Sequence, residues 1–323
     1  MEEFESRIDL TKFSTKVEEL KSEIKKYIVG QERMIDLLVI ALLADGHVLI
    51  EGVPGVAKTL TARILARTIN ADFKRIQFTP DLLPSDIIGT LIFNMQESKF
   101  TFNKGPLFSN IVLVDEINRA PAKTQAALFE AMQERQISAD GITYPLQPPF
   151  IVLATQNPID LEGTYRLPEA QIDRFLFKII VDYPNLEQEE AILEAFQERK
   201  ADIDVSKVKK VMTVKELLSI RKTVAEVHVE KPIIQYIARI IDSTRNNPDL
   251  FLGGSPRSSL AILGASKAMA AMSGRDFVTP DDVKFVTPHV LVHRLILSPE
   301  KDIEGMSSHD IIEDILSDIE IPR

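Results

Sequence analysis

A glycine-rich stretch directly after an apolar run is the feature that most restricts the fold of this chain. The stretch is GVPGVAKT, from Gly52 to Thr59, and it follows HVLI, which is typical of a buried strand. It nearly matches the phosphate-binding pattern of a glycine, four residues and then Gly-Lys-Ser/Thr. In such a loop, backbone N–H groups and the N-terminus of the next helix surround phosphates. The strand before it and the predicted helix after it favour a phosphate loop over an ordinary turn.

Ala57 stands where this pattern has its second glycine. We expect this position to lie at the entry to the helix with a negative φ, which suits alanine as well as glycine. Gly52 and Gly55 would then form any turn that requires glycine. The hypothesis is that Ala57→Gly changes nucleotide affinity only slightly. Next to it, Lys58 is predicted to contact the β- and γ-phosphates, and Thr59 to ligate Mg²⁺.

Composition excludes several classes of function. The 323 residues include no cysteine, which rules out disulfides, thiolate metal sites and cysteine nucleophiles. The formal charge of -10 argues against unspecific binding to nucleic acid or to anionic membranes. The acidic, amphipathic N-terminus is unlike a signal peptide, and the apolar run from Leu37 to Ala44 is too short to span a bilayer. We expect a soluble cytoplasmic protein without membrane insertion.

Helix-like and strand-like segments alternate up to about residue 185. The runs IVLV and FIVLA do not alternate polar with apolar residues, which predicts a parallel sheet covered on both faces. Two hairpins interrupt this rhythm, one over Gly89–Gly105 and one turning at Asp140-Gly141. After residue 185 the patterns are almost entirely helical. The sequence therefore predicts an α/β domain over residues 1–185, including an N-terminal helix, and an all-helical domain over residues 186–323.

Two carboxylates follow the apolar strand IVLV. Asp115 and Glu116 would lie at the carboxyl edge of the sheet, where open α/β folds bind ligands. Asp115 is predicted to hold the water shell of a metal, and Glu116 to act as the general base on the attacking water. The alternative is a solvated acidic strand end, which the neighbouring phosphate loop disfavours.

Five sequence blocks, taken together and in order, resemble the MoxR family of AAA+ ATPases. They are EGVPGVAKT, VDEINRAPAKTQAALFEAMQER, LATQNP, EGTYRLPEAQIDRF and SPRSSLA. The resemblance covers nearly the whole chain from about Val17. It implies an αβα sandwich with a parallel sheet of strand order 5-1-4-3-2, β-hairpin inserts and a helical lid domain. It also implies ATP and Mg²⁺ as cofactors and Mg²⁺-dependent hydrolysis of ATP to ADP and phosphate.

The resemblance assigns three further catalytic residues. Asn157 resembles the sensor 1 residue that orients the lytic water, although Asn-Pro is also a common turn after a strand. Arg174 resembles the arginine finger that enters the neighbouring subunit's site, although arginine also suits the end of a short helix. Arg257 resembles sensor 2. Ser255 as N-cap and Pro256 at the first helical position place Arg257 in the first turn, where a cation needs a nearby anion such as nucleotide phosphate.

The segment from Ile28 to Gln31 resembles the part of the family that covers the adenine, although it could equally be a simple turn between two helices. The full predicted nucleotide-binding set comprises Val29, Gly30, Gly52, Pro54, Gly55, Val56, Ala57, Lys58, Thr59 and Leu60. The roles of Asn118 and Arg119 are left open. His289 and His293 lie four apart, but Val290 stands where a zinc-binding helix of the HExxH type has its glutamate, so no metal site is predicted there.

As a function, the resemblance implies a ring oligomer, with six subunits as the family expectation, that remodels or activates other proteins. The loop, the carboxylates and both sensors would come from one subunit and Arg174 from the next. Family members commonly work with partners that carry von Willebrand factor A domains, but nothing in these residues selects a partner. In related motors the hairpins face a central pore; they could equally be surface decoration. The alternatives are a DNA-acting motor of the helicase and chelatase clade, which the acidic balance disfavours, and a nucleotide-gated scaffold without hydrolysis.

Overall fold

The computed structural model describes residues 10–96, 98–139, 141–158, 165, 167–199 and 203–322. With strands numbered along the chain, five form a parallel sheet in the order β2-β5-β8-β1-β9. They are β1 (His47–Gly52), β2 (Phe73–Gln77), β5 (Ile111–Asp115), β8 (Ile151–Gln156) and β9 (Phe175–Val181). Counted within this sheet alone, the order is 2-3-4-1-5. Read from the other edge it is 5-1-4-3-2, so the predicted topology is confirmed.

Six helices accompany this sheet. They are α1 (Thr11–Lys25), α2 (Glu32–Leu43), α3 (Lys58–Thr68), α4 (Pro84–Ile88), α5 (Ala122–Glu134) and α6 (Glu169–Ile172). The apolar helix α2 is buried over almost its whole length, which explains why its sequence lacks a polar face. The sheet is covered on both faces, because successive residues of β1 enter different hydrophobic cores: Val48 and Ile50 pack in one, and Leu49 packs in the other.

Both predicted hairpins are present. The first pairs β3 (Gly89–Asn94) with β4 (Lys99–Lys104), and the second pairs β6 (Gln136–Ala139) with β7 (Ile142–Pro145). Their turn residues Glu97 and Asp140 lie outside the described residues. The first hairpin leads through a 3-10 turn (Pro106–Phe108) into β5, and the second leads into β8. The first hairpin therefore precedes β5, the strand that ends at the predicted carboxylates, and the second precedes β8, which is followed by Asn157.

The remainder of the described chain is mainly helical, as predicted. Its helices are α7 (Leu186–Arg199), α8 (Val214–Ala225), α9 (Lys231–Asn246), α10 (Pro256–Met272), α11 (Pro280–Leu291), α12 (Pro299–Ile303) and α13 (Ser308–Asp318), with a 3-10 turn at Val205–Lys207. Two short strands, β10 (Leu250–Leu252) and β11 (Ile296–Leu297), form an antiparallel ribbon that the sequence analysis did not predict. Such short strands offer too few residues for an alternating pattern to be visible.

One hydrophobic core joins these later helices to one face of the sheet. It includes residues of α1, α2, α3 and β1 together with residues of α8, α9, α10, α11 and α13. Helix α11 packs against β9, and α10 packs against α2. The domain boundary near residue 185 stays a prediction, since this core runs across it. The consequence for the site is that α10 is held on the α2 side of the sheet.

Candidate functional site

A polar cavity of about 350 Å³ lies at the carboxyl ends of β1, β5 and β8. Parallel strands bring these ends to one edge of the sheet, and the glycine-rich loop after β1 closes the cavity from one side. The residues that line it are Pro54, Gly55, Ala57, Lys58, Thr59, Leu60, Arg75, Gln77, Asp115, Glu116, Thr155 and Asn157. The structure thus brings the predicted phosphate, metal, base and sensor 1 residues together.

The loop ends in a left-handed residue. Ala57 is the N-cap of α3, with φ 58° and ψ 19°, so the expectation of a negative φ is wrong. The backbone must change direction here so that the carbonyl of Ala57 can accept the N–H of Thr61 and begin the helix. Alanine pays a steric cost in this region that glycine does not. The hypothesis that Ala57→Gly is almost neutral rested on a negative φ, and the positive φ of Ala57 contradicts it.

Lys58 lies in the first turn of α3 with its ammonium group turned back into the loop. Its Nζ donates to the carbonyl oxygen of Gly52 at 2.5 Å. Burial lowers the pKa of Lys58, while the nearby carboxylates of Asp115, Glu116 and Glu51 oppose that shift. The cavity therefore holds a half-buried cation whose nearest charges are carboxylates, which is an arrangement suited to a polyanion accompanied by a metal ion.

Asp115 is a buried carboxylate with three side-chain donors. Its Oδ2 lies 3.4 Å from Oγ1 of Thr59 and 2.5 Å from Nε of Arg75, and its Oδ1 accepts from Oγ1 of Thr155 at 3.0 Å. The oxygens of the predicted metal residues Thr59 and Asp115 therefore lie next to each other. Oxygen donors of this kind are what Mg²⁺ prefers. In this structure the guanidinium of Arg75 neutralises the carboxylate.

Glu116 adopts a left-handed backbone conformation directly after β5, with φ 56°. Its backbone N–H donates to Oγ1 of Thr155 at 3.0 Å. Its carboxylate Oε2 accepts from Nε2 of Gln77 at 2.7 Å and forms an ion pair with Nε of Arg119 at 3.2 Å. The predicted general base is thus held at the edge of the cavity by partners from two different elements.

Sequence reasoning missed Arg75, Gln77 and Thr155. Arg75 and Gln77 lie on β2, beside β5, and Gln77 pairs in register with Asp115. Thr155 lies on β8, which is the other neighbour of β5. The polar end of the FKRIQ strand was a usable signal, because neighbouring parallel strands deliver their carboxyl ends to the same edge. The strand order 5-1-4-3-2 that the resemblance implies already places β2 and β8 beside β5, so the ends of these two strands could have been added to the predicted site.

An apolar cavity of about 400 Å³ adjoins the polar one. The two cavities share Gly55, Ala57 and Leu60. The other residues that line the apolar cavity are Tyr27, Ile28, Val29, Ile192, Ala195, Phe196 and Ile203. The predicted adenine segment therefore lies beside the loop through Ile28 and Val29.

Three residues of the predicted nucleotide set are outside the lining of both cavities. Val56 packs into the hydrophobic core. Gly52 is packed so closely against β9 that a Cβ there would lie 2.6 Å from the carbonyl oxygen of Val181. Gly30, with φ 69°, faces the side chain of Gln188. These residues shape the loop and its approach rather than bordering the space that a nucleotide would fill.

The two predicted arginines lie at the other end of the strands, on the amino-terminal side of the sheet. Arg174 immediately precedes β9, whose first residue pairs with His47 at the start of β1, whereas the loop follows the end of β1. The six residues of β1 span about 20 Å at the usual rise of a strand. The guanidinium of Arg174 donates to the side-chain oxygen of Gln133 on α5.

Arg257 is also at this end of the strands. Its guanidinium donates to Oδ2 of Asp173 at 3.0 Å, and Oδ1 of the same carboxylate accepts from Arg294 at 2.7 Å. In this structure Arg257 is therefore paired with Asp173 rather than with its own phosphate loop, because the core holds α10 against α2. The anion required near the first turn of α10 is, in this structure, the carboxylate of Asp173. Its catalytic role stays a prediction.

The two histidines of the HVLVH segment have different partners. Nε2 of His289 accepts from Nε of Arg33 at 3.1 Å, and Nε2 of His293 lies 3.0 Å from the carbonyl oxygen of Phe175. Among the described residues, no group of three or more His, Asp or Glu side chains is arranged to hold a metal ion. In the same part of the chain, no helix has the length and apolar character needed to cross a membrane. Glu162, Gly163, Thr164 and Arg166 of the EGTYRLPEAQIDRF block lie outside the described residues.

Comparison with known proteins agrees with this geometry. The family model for the ATPase family associated with various cellular activities (AAA) matches residues 47–177, and the model for the AAA lid domain matches residues 242–315. Chaperone MoxR1 of Mycobacterium tuberculosis is 43% identical, over 93% of this chain and 81% of its own length. This chain belongs to the MoxR family of AAA+ ATPases.

Two other proteins resemble this MoxR-family chain over nearly its full length. The uncharacterized protein YeaC of Bacillus subtilis is 46% identical, over 93% of this chain and 92% of its own. A crystal structure from Cytophaga hutchinsonii, of a protein assigned there as an ATPase, superposes with a TM-score of 0.90 at 43% identity and covers 97% of each chain. The MoxR assignment thus rests on both the nucleotide-binding and the helical regions.

Proposed function

We propose that this MoxR-family chain is a Mg²⁺-dependent ATPase whose complete active site forms between two copies of the chain in a ring, and which uses hydrolysis to remodel or activate partner proteins. One observation carries the proposal. The loop, the carboxylates and Asn157 line the cavity at the carboxyl ends of the strands, whereas Arg174 and Arg257 lie together at the amino ends of the strands. Arginines that lie so far from their own cavity suit the cavity of the next copy, so both of them, rather than Arg174 alone, are assigned to the neighbouring site.

The residues of the cavity divide the chemistry among them. Lys58 and the N-terminus of α3 bind the β- and γ-phosphates, and the apolar cavity takes the base. Glu116 accepts a proton from the attacking water, and Asn157 orients that water. Bound Mg²⁺, held by Thr59 and Asp115, would supply positive charge at the phosphate oxygens. An arginine from the next copy stabilises the charge that develops on the transferred phosphoryl group.

The family suggests what the energy of ATP hydrolysis is used for. One relative is named a chaperone, which supports a remodelling role for this chain. The same proposal includes a ring of six subunits whose hairpins face its centre. It also includes partner proteins with von Willebrand factor A domains and a cytoplasmic location. ATP is the proposed nucleotide because the family consists of ATPases, and the apolar cavity beside the loop has a size and lining suited to a purine base.

Mixing two inactive variants tests the composite site. Lys58→Ala removes the phosphate-binding amine but keeps the arginines, and Arg174→Ala does the reverse. Each alone should hydrolyse ATP at least about a hundredfold more slowly than wild type. Mixed, they should regain activity, because a Lys58→Ala copy can supply Arg174 to the intact cavity of an Arg174→Ala copy.

The control is the double variant Lys58→Ala/Arg174→Ala mixed with Arg174→Ala, which cannot supply the arginine and should stay inactive. If the first mixture is as inactive as this control, although the proteins co-assemble by light scattering, the composite site is wrong. Glu116→Gln provides the companion test of the base. It should bind ATP normally and lose turnover, and unchanged turnover would contradict the assignment.

A further inference from the structure

The carboxylate that is proposed to hold Mg²⁺ has a cationic partner within its own chain. Oδ2 of Asp115 lies 2.5 Å from Nε of Arg75 on β2 and 3.4 Å from Oγ1 of Thr59. Its other oxygen, Oδ1, accepts from Thr155 on β8, the strand on the opposite side of β5. A metal ion shared by Thr59 and Asp115 would therefore use Oδ2, which is the oxygen that Arg75 contacts. Arg75 and the metal ion would thus compete for one oxygen atom.

The ion pair of Arg75 differs from a structural ion pair of the same protein. The side chain of Arg294 is 4% exposed, and its guanidinium donates to the carboxylate of Asp173 and to four backbone carbonyl oxygens. The side chain of Arg75 is 52% exposed, and its guanidinium donates to the side chains of Asp115 and Gln77. Water can therefore solvate the guanidinium of Arg75 when it leaves. The carboxylate of Asp115 is only 9% exposed and needs another cation when that happens.

Among the described residues, the charges that line the polar cavity balance one another. They are the cations Lys58 and Arg75 and the carboxylates Asp115 and Glu116. A free divalent cation would therefore meet no excess of negative charge, and it would have to displace Arg75. A divalent cation bound to a triphosphate brings negative charge of its own, with which Lys58 and the released Arg75 can both pair. Mg²⁺ in proteins is usually bound by one or two carboxylates together with the phosphates of a substrate.

We propose that Arg75 is an internal cation that keeps free Mg²⁺ away from Asp115 and yields this carboxylate to Mg²⁺ that arrives with the nucleotide. The inference rests on the proposed function, because it takes Thr59 and Asp115 as the metal residues. It gives Arg75 a role in specificity, since this residue decides in which form the metal enters the site. The competing result is that Arg75 only neutralises a buried carboxylate and thereby stabilises the fold.

Binding of Mn²⁺ in the absence of nucleotide tests the competition. Mn²⁺ prefers the same oxygen ligands as Mg²⁺, and electron paramagnetic resonance measures the free ion. Arg75→Met removes the guanidinium but keeps a long, unbranched side chain. This variant should bind Mn²⁺ at least about tenfold more tightly than wild type, because Asp115 has lost its internal cation. Arg75→Gln replaces Arg75→Met if the latter does not fold, and the same gain is expected from it.

Two controls locate the gain in affinity. Lys74→Met removes the same charge from the preceding residue of β2, an exposed side chain on the opposite face of the strand. It should change the Mn²⁺ affinity less than about twofold, because its charge is exposed to water. Arg75→Met/Asp115→Asn lacks the carboxylate and should lose the gain. The proposal is overturned if Arg75→Met binds Mn²⁺ as wild type does, if Lys74→Met gives an equal gain, or if the gain survives Asp115→Asn.

Thermal unfolding distinguishes the competition from a purely structural role. In the presence of EDTA, Arg75→Met should have a lower Tm than wild type, because a buried carboxylate has lost its partner. Millimolar Mg²⁺ without nucleotide should raise the Tm of this variant but not that of wild type. A low Tm that Mg²⁺ leaves unchanged would show the structural role alone and overturn the proposal.

Neither assay needs nucleotide or turnover, so the two proposals can fail separately. A wild-type protein without ATPase activity, whose Arg75→Met variant nevertheless gains Mn²⁺ affinity through Asp115, would refute the proposed function alone. A wild-type protein that hydrolyses ATP, whose Arg75→Met variant shows no such gain, would refute the role of Arg75 alone.

Discussion

A single hydroxyl group connects the carboxylate of Asp115 to the backbone of Glu116. Oγ1 of Thr155 donates to Asp115 and accepts the N–H of Glu116, each at 3.0 Å, and the residue is buried. Thr155→Val preserves the shape but removes the donor to Oδ1 of Asp115 and the acceptor for the N–H of Glu116, while Thr59 and Arg75 still contact Oδ2 of Asp115. We expect the free energy of unfolding to fall by about 1–3 kcal/mol and the kcat for ATP hydrolysis by about 10–100-fold.

The matched variant is Thr155→Ser, which retains the hydroxyl and should recover most of kcat. Steady-state kinetics over a Mg²⁺ titration checks the prediction. A valine variant with wild-type kcat would show that the hydrogen bonds of Thr155 do not position the carboxylates.

The left-handed backbone conformation of Ala57 is strained. Its left-handed conformation is one that glycine adopts freely, so Ala57→Gly should raise the free energy of unfolding by about 1 kcal/mol. The control is Ala126→Gly at an exposed position inside α5, where the same substitution should lower it by about 1 kcal/mol. Urea denaturation of both variants measures the difference. Similar losses in the two variants would mean that the left-handed conformation carries no such cost.

Among the elements, the two hairpins contact each other through aromatic rings. Phe102 of β4 stacks on Tyr144 of β7 with ring centroids 4.6 Å apart and an interplanar angle of 17°. Phe108, in the turn that leads into β5, packs edge-on against both rings. Aromatic pairs of this kind contribute about 0.5–1.5 kcal/mol beyond their buried area. The hairpins that precede β5 and β8 are therefore coupled to each other.

Hydrogen exchange can detect this coupling. Phe102→Ala should accelerate exchange of backbone amides in both hairpins, because it removes the contact between them. The control is Phe100→Ala, whose ring contacts Phe93 within the first hairpin at 5.1 Å and should affect that hairpin alone. Unchanged exchange over residues 136–145 in Phe102→Ala would contradict the coupling.

At the scale of the whole molecule, the buried His47 and the half-buried His289 and His293 make stability depend on pH. Burial lowers the pKa of His47 to about 3 and that of His289 to about 4, and it lowers the pKa of His293 well below 6.5. In the unfolded chain these side chains bind protons near pH 6.5. The unfolded state therefore binds more protons below that pH, so the stability present above pH 6.5 is lost as the pH falls.

The prediction concerns the window from pH 6.5 to 4.5. There each such histidine should contribute a slope of up to about 1.4 kcal/mol per pH unit to the free energy of unfolding. His47→Gln removes one of these groups and should reduce the total slope by up to that amount, measured by urea denaturation across the window. Parallel curves for wild type and variant would show that His47 is not held neutral.

How much could be predicted from the sequence depended on the range of the interaction. The loop, the strand before Asp115 and the hairpin at Gly141 are local patterns, and all three were found where expected. Thr155 and Gln77 were missed, because neither belongs to a local motif and each reaches the site only through the pairing of its strand with β5. The contact between Phe102 and Tyr144 was invisible for the same reason.

The sequence by itself determined the family, the strand order that the family implies and those cavity residues that belong to the loop and to the motifs after β5 and β8, since short motifs at the ends of strands carry that information. Only the tertiary structure decided the conformation of Ala57 and the position of Arg257. The conformation depends on where the loop must turn to begin α3. The position depends on the packing of α10 against α2, which carries Arg257 to Asp173 and away from its own loop. A hydrophobic core built from both ends of the chain sets that packing, and no local pattern reports it.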